Sequence, residues 1–219
     1  MSAPTVLVIA QVGDVTADLV IDALVARGAV VARIDTADFP SALSMAATPD
    51  RIDSPGWLCA RGQRVDLGLV RSVYRRSPAR FAFPEGMSAP ERRFATLESV
   101  YGLGGALCAQ PWRWIDHPSA VADASYKPRQ LSVAMRCGLS VPRSLVTNMG
   151  ARAREFAAEV GGALVYKSLS TFGAFDFSVT PDGRWWFLEC NPAGQWGWLA
   201  EQTRLPIAEA IADELVGAA

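Results

Sequence analysis

The chain begins with solid apolar runs separated by mixed stretches. Val6–Ala10 is unbroken, the mark of a parallel strand buried on both faces. Asp14 or Thr16 can cap the following helix, which runs to about Arg27 and stops at Gly28. Val30–Ile34 supplies a second strand, so the opening predicts a strand–helix–strand unit of the doubly wound kind. From Leu43 to Val73 the runs shorten and are broken by Pro-Asp, Ser-Pro-Gly and Arg-Gly, which predicts antiparallel strands added to the first sheet. Ser88–Leu107 reads as a helix with Ala89-Pro90-Glu91 at its start. The aromatic segment Pro111–Pro118 reads as a domain boundary.

A second module starts near Ser119. Lys127–Arg136 is a helix closed by Gly138, and Pro142–Thr147 a strand. Ala151–Val160 is a further helix, ended by Gly161-Gly162, and Ala163–Lys167 a strand ending in a lysine. Phe172–Val179 and the run to Glu189 form a hairpin about Asp182-Gly183. Pro206–Val216 carries apolar residues at helical spacing, a face for a core or an interface.

Bulk composition narrows the function. The chain has 219 residues, half of them hydrophobic, and a formal charge of −1. No net field draws nucleic acid or an anionic membrane. No apolar run approaches transmembrane length, and no basic region precedes the first apolar stretch. The four cysteines, Cys59, Cys108, Cys137 and Cys190, are scattered, which predicts buried free thiols in a reducing cytoplasm. One histidine, His117, excludes the common zinc patterns and reads as structural.

Candidate chemistry gathers at the hairpin. Glu189 and Asn191 are two apart, so a strand carries both on one face, and Asp176 lies on the other arm. Carboxylate and amide oxygens are the donors Mg²⁺ prefers. The same residues also serve as a solvated strand edge or a turn, and Glu-x-Asn alone does not decide. Lys167 at a strand end either reaches phosphate or exits to solvent. Arg75 and Arg76 either clamp a carboxylate or phosphate or form a solvated basic edge. Asp35 at the end of the second strand imitates a ribose-binding acid, but the first turn, Gln11-Val12-Gly13-Asp14-Val15, has no glycine-rich cradle, which favours a plain strand terminus.

Taken in order, several blocks resemble the ATP-grasp ribosomal-peptide maturases, the graspetide synthetases that make microviridin-type macrocycles. They are Asp35-Thr36-Ala37-Asp38-Phe39-Pro40, Val73-Tyr74-Arg75-Arg76, Trp112 to Pro118, Lys127-Pro128-Arg129-Gln130-Leu131, Gly138 to Asn148, and Val165-Tyr166-Lys167. The last runs from Gly173-Ala174-Phe175-Asp176 through Phe187-Leu188-Glu189-Cys190-Asn191-Pro192-Ala193-Gly194-Gln195-Trp196 and is the most specific.

The resemblance implies an α/β protein. A Rossmann-like pre-ATP-grasp domain over residues 1–117 is followed by a shortened ATP-grasp α+β module over 118–219. It implies that Lys127 and Lys167 contact ATP phosphates and that Asp176, Glu189 and Asn191 hold Mg²⁺. It implies a ribosomal precursor peptide, leader and core, as partner, and a homodimer. The family's chemistry activates an Asp or Glu side chain as an acyl phosphate, which a hydroxyl or amine of the same peptide attacks to give an ester or amide. One departure stands out. Only Ser168–Phe175 separates Lys167 from Asp176, where the family has a long segment with the adenine hinge. The alternative is therefore a catalytically degenerate homologue that binds a peptide or a partner ligase.

Overall fold

The computed structural model describes residues 5–48, 50–51, 55–161, 176–189 and 196–217. In chain order its elements are β1 (Thr5–Ile9), α1 (Val15–Ala26), β2 (Val30–Ile34), β3 (Leu43–Ala47), β4 (Gly56–Ala60), β5 (Gln63–Asp66), β6 (Val70–Arg75), α2 (Ala89–Cys108) and β7 (Arg113–Ile115). There follow α3 (Pro118–Ala124), α4 (Lys127–Arg136), α5 (Gly150–Glu159), β8 (Asp176–Val179), β9 (Trp185–Glu189), α6 (Gly197–Thr203) and α7 (Ile207–Val216). They divide into two compact units, Met1–His117 with Trp196–Ala219, and Pro118–Gln195.

The first unit is built on a parallel sheet in the order β2-β1-β6-β7. The period of two along β1 splits its side chains between two cores. Val6 and Val8 face α1 and α7 with Ala17, Val20, Leu24, Ala212 and Leu215. Leu7 and Ile9 join Leu43, Leu58, Val65, Val73, Leu103 and Leu107. A strand buried on both sides has to be apolar throughout, which is why the run at Val6–Ala10 was legible. Asp14 caps α1, accepting from the Ala17 amide at 3.0 Å. Ser88 and Glu91 form a reciprocal capping box that starts α2.

Four expectations need correction or completion. The segment from Leu43 does not extend the first sheet. β3, β4 and β5 form a separate antiparallel sheet, and only β6 joins β1, in parallel. Tight local turns favour this meander, whose apolar residues then cover a face of the first sheet instead of lengthening it. Gly56 is obligatory there. Its φ is +125°, and a Cβ would stand 2.0 Å from the Ala46 carbonyl oxygen. Second, the aromatic segment read as a boundary does hold the division between the units, at His117 and Pro118, but it also contains β7, the edge strand of the parallel sheet. Third, Pro142–Thr147 forms no strand. One backbone bond, from the Phe187 amide to the Ser140 carbonyl at 2.8 Å, ties the preceding turn to β9, and a single bond does not make a ladder. Fourth, Cys108 and Cys137 are free but exposed, and Cys59 is half-buried. The first two lie at helix ends, outside the apolar stripe.

The C-terminal helix α7 packs in the first unit, although its sequence position follows the second module. Its apolar face, Ala208, Ala212 and Leu215, closes the core over α1. Ser72 Oγ on β6 donates to the buried Leu215 carbonyl at 2.7 Å. Arg27 Nε pairs with Asp213 at 2.5 Å, and Arg113 pairs with Glu214 at 3.2 Å.

In the second unit β8 and β9 form the expected hairpin, with Gly183 at φ +80° in its turn and the Gly183 amide donating to the Thr180 carbonyl at 2.8 Å. α4 packs on β9. The strand expected at Ala163–Lys167 lies outside the described residues.

Candidate functional site

Two polar constellations stand out, one in each unit. In the second, β9 buries Phe187 and Glu189, two residues apart, and leaves Leu188 exposed between them. The hairpin register sets Asp176 directly opposite Glu189. Lys127 stands beside Glu189. Its Nζ donates to Glu189 Oε2, and the two side chains are only 11 % and 8 % exposed.

Lys127 is the first residue of α4, a turn whose N-cap, Tyr126, makes no side-chain cap bond. A helix start carries unsatisfied amides and a partial positive charge, so a lysine there raises an already positive potential. Such a place suits an anion. Glu189 supplies one here, and a phosphate oxygen has the same chemistry. Lys167 and Asn191 lie outside the described residues, as does the side chain of Asp176. Glu189, with its oxygen donors and its place opposite Asp176, fits a hard cation such as Mg²⁺. Among the described residues no three His, Cys, Asp or Glu side chains come together as a metal-binding group.

In the first unit, Arg75 and Arg76 end β6 at the carboxyl edge of the parallel sheet, beside the point where the chain order reverses between β1 and β6. Open α/β sheets bind ligands at that edge. The two arginines do not stand side by side. Strand alternation turns Arg75 toward Cys108 of α2 and Arg76 toward Tyr74. Arg76 is 1 % exposed, its amide donates to the Ile9 carbonyl at 2.8 Å, and its guanidinium donates to Ser77 Oγ at 2.5 Å.

Asp116, just beyond β7, interacts electrostatically with both arginines. Burial pushes its carboxyl up to about 6, and the two guanidinium charges offset part of that rise. Burial lowers Arg75, with Asp116 opposing the shift, and raises the phenol of Tyr74. Asp116 also holds a φ of +66°, uncommon for a residue other than glycine. The sequence reading gave Asp116 no role. The block Trp112–Pro118 was its only signal, and an unusual backbone angle is not written in residue types. His117 packs edge-on against Trp114, with ring centroids 5.1 Å apart. Asp35 is a strand terminus, accepting from the amides of Ala37 and Ala79.

A groove of about 500 Å³ beside β7 is lined by Ile115, Leu205, Pro206, Ile207, Ala210 and Ile211, with Glu214 at its rim. Its wall is almost wholly apolar and holds no candidate phosphate or metal ligand. Among the described residues no helix is long and apolar enough to cross a membrane.

The model of the MvdD pre-ATP grasp domain matches residues 5–122. Among solved structures, the chain is similar to the macrocyclase MdnB from Microcystis aeruginosa MRC, at 26 % identity and a TM-score of 0.84, covering 97 % of this chain and 99 % of that one. It shares its fold with the macrocyclase MdnC of the same organism, solved with the precursor peptide MdnA, at 22 % identity and a TM-score of 0.88 over 97 % and 99 %. It also shares it with a RiPP-associated ATP-grasp ligase from Chryseobacterium gregarium, solved with ADP and a leader and core peptide, at 17 % identity and a TM-score of 0.85 over 99 % and 97 %. No curated protein matches the chain. The resemblance read from the sequence therefore holds, and the chain belongs to the MvdD pre-ATP-grasp family, with the fold of the RiPP ATP-grasp macrocyclases.

Proposed function

We propose that the chain is an ATP-dependent ligase that activates Asp or Glu side chains of a ribosomal precursor peptide and closes them into ester or amide macrocycles. The observation that carries the reading is the buried Lys127–Glu189 pair at the start of α4, with Asp176 opposite Glu189 in the hairpin register. An ammonium at a helix start, next to paired acidic positions, suits a metal–nucleotide phosphate group. Lys127 and Lys167 hold phosphate oxygens, while Asp176, Glu189 and Asn191 hold Mg²⁺. When bound, Mg²⁺ offsets the charge of the transferring phosphoryl group. Arg75 and Arg76 orient a substrate carboxylate, a role supported by their place at the carboxyl edge of the parallel sheet.

In this scheme the peptide carboxylate oxygen attacks the γ-phosphorus of ATP and ADP leaves. A peptide hydroxyl or amine then attacks the acyl carbon, loses its proton and releases phosphate. The protein contributes positioning and fixed positive charge. The structures solved with precursor peptides and with ADP support a peptide and a nucleotide as ligands. The division into a pre-ATP-grasp domain, 1–117, and a shortened ATP-grasp module, 118–219, belongs to the same proposal. So do a cytoplasmic location, in keeping with the free thiols of Cys59, Cys108 and Cys137 among the described residues, and a homodimer, in keeping with the exposed Phe94, Leu97, Val100 and Tyr101 of α2.

One observation favours a second reading. Eight residues, Ser168–Phe175, stand where the resemblance implies an adenine hinge. A degenerate homologue would bind peptide and neither bind nor turn over ATP. Nucleotide binding with and without Mg²⁺, followed by mass spectrometry of a precursor peptide, separates the two. The ligase loses one water mass from the peptide per ring, and Lys127→Ala and Lys167→Ala abolish that loss. Peptide binding with no Mg²⁺-dependent nucleotide affinity would establish the degenerate form.

A further inference from the structure

Arg75 and Asp116 carry opposite charges, lie near each other and do not join. The parallel ladder between β6 and β7 pairs Ser72 with Arg113, Val73 with Trp114 and Tyr74 with Ile115, so its next step would set Arg75 against Asp116. That step is not taken. β7 ends at Ile115, and Asp116 turns out of the strand at a φ of +66°. The two side chains interact electrostatically, yet among the described residues neither makes a hydrogen bond or an ion pair. Both are half-buried, and neither has a polar atom sealed away from solvent. Opposite charges drawn partly out of water attract strongly and close into contact where the backbone lets them. Here a left-handed backbone, costly for a residue other than glycine, holds the carboxylate back. The neighbours do not replace the missing partners. Arg76, which also acts on Asp116, is bonded to Ser77 Oγ. Cys108, beside Arg75, stays a neutral thiol because burial raises it.

We propose that Arg75 and Asp116 form a two-point receptor for a peptide segment that carries a carboxylate and, a short distance along, a hydroxyl or an ammonium. The planar fork of Arg75 takes the carboxylate through two parallel N–H bonds, and Asp116 accepts from the hydroxyl or ammonium. This rests on Arg75 as a residue that orients a substrate carboxylate. The new element is Asp116, which holds the second member of the ring-forming pair. Its carboxyl, at about 6, is mostly ionised at neutral pH and so accepts. A ligand bearing only a carboxylate meets Asp116 as a like charge, and one bearing only an ammonium meets Arg75 in the same way. A ligand with both groups answers both residues. The receptor therefore reads the pair and not the acid alone, by penalising each half on its own. It lies wholly within the first unit, so it needs neither the nucleotide nor the metal proposed for the second.

The test uses the full chain without nucleotide and short glycine peptides, blocked at both ends, that carry Glu with Ser, Glu with Lys, or Glu alone. Isothermal calorimetry gives the affinities. Glu with Ser, or Glu with Lys, binds about tenfold more tightly than Glu alone, and which of the two gains identifies the donor as hydroxyl or ammonium. If neither exceeds Glu alone, or if no peptide binds, the receptor is overturned. In Asp116→Gly, a change that the positive φ accommodates, the advantage disappears. Glu alone then binds at least as tightly as to the wild type, because a neighbouring anion has gone. A uniform weakening of every peptide assigns Asp116 to the fold and not to the ligand, and an advantage that persists removes it from the site. Either result overturns the proposal. Arg75→Gln weakens every Glu peptide. If it changes none of them, the carboxylate assignment of Arg75 fails and the receptor falls with it. If it weakens them while Asp116→Gly keeps the advantage, that assignment stands and the receptor alone fails. Should Arg75→Gln not fold, Arg75→Lys keeps the charge, loses the fork and carries the same expectation.

Discussion

The two units solve the placement of polar groups in opposite ways. In the first, the parallel sheet is covered on one face by α1 and α7 and on the other by a second sheet and α2. Its polar cluster of Arg75, Arg76 and Asp116 sits at the strand ends of a framework that apolar packing already holds. In the second, the buried side chains among the described residues are Ala134, Phe187 and Glu189, so an ionised residue is one of the few that anchor the hairpin to α4. A rigid apolar frame tolerates changes to its polar edge. A sparse core that depends on an ion pair is sensitive to loss of one charge.

The largest expected effect is in the second unit. Lys127→Met takes the ammonium away from the buried Glu189 carboxylate and costs about 3 kcal/mol. The double variant Lys127→Met/Glu189→Leu recovers most of that loss, because the buried carboxylate is removed together with its ammonium. Urea unfolding, with hydrogen exchange to localise the change to α4 and β9, checks both. If the single variant is as stable as the wild type, the pair does not anchor the hairpin. Next comes the first unit's core, where Leu7→Ala removes a fully buried side chain from β1 and costs about 3 kcal/mol, with protection lost across the parallel sheet. Smaller is Ser88→Ala, which breaks the capping box and lowers stability by about 1 kcal/mol through fraying of the first turn of α2. Gly102→Ala acts in the other direction. A Cβ there meets nothing within 4 Å, so the substitution stabilises α2 by about 0.8 kcal/mol in thermal unfolding.

The smallest effect depends on pH. The Asp116 carboxyl is raised to about 6 in the folded protein from 3.8. A group raised on folding contributes stability that is fully present below its unfolded value and is lost as pH rises through its folded value. Acidification from pH 7 toward 4 therefore favours the wild type relative to Asp116→Asn. Partial exposure damps the difference. Paired melting curves across that interval measure it, and parallel curves would show that Asp116 titrates normally.

The sequence was most informative where one residue's neighbours lie close in the chain. The opening strand, the helix capped by Asp14, the box at Ser88 and the turn at Gly183 all follow from local chemistry. Long-range choices were not legible. Nothing local tells Leu43, Leu58 and Val65 to cover a sheet instead of lengthening it, or tells α7 to return to β6. β7 is three residues long and rich in tryptophan, too short for a period to declare itself. At the candidate site, Glu189 was legible from the strand period and Lys127 from the resemblance, but they are 62 residues apart, and only the fold shows that they meet. Asp116 escaped because its signal is a backbone angle and the proximity of charges from another strand.

The return of α7 bears on how this protein can be dissected. A recombinant fragment ending at His117 would lack Ala208, Ala212 and Leu215 and bare the apolar side of Val8, Val20 and Leu24 to water. It should be sticky and poorly folded. An autonomous fragment calls for splicing, with Trp196–Ala219 rejoined to His117 through a flexible tether so that the severed helix can dock again.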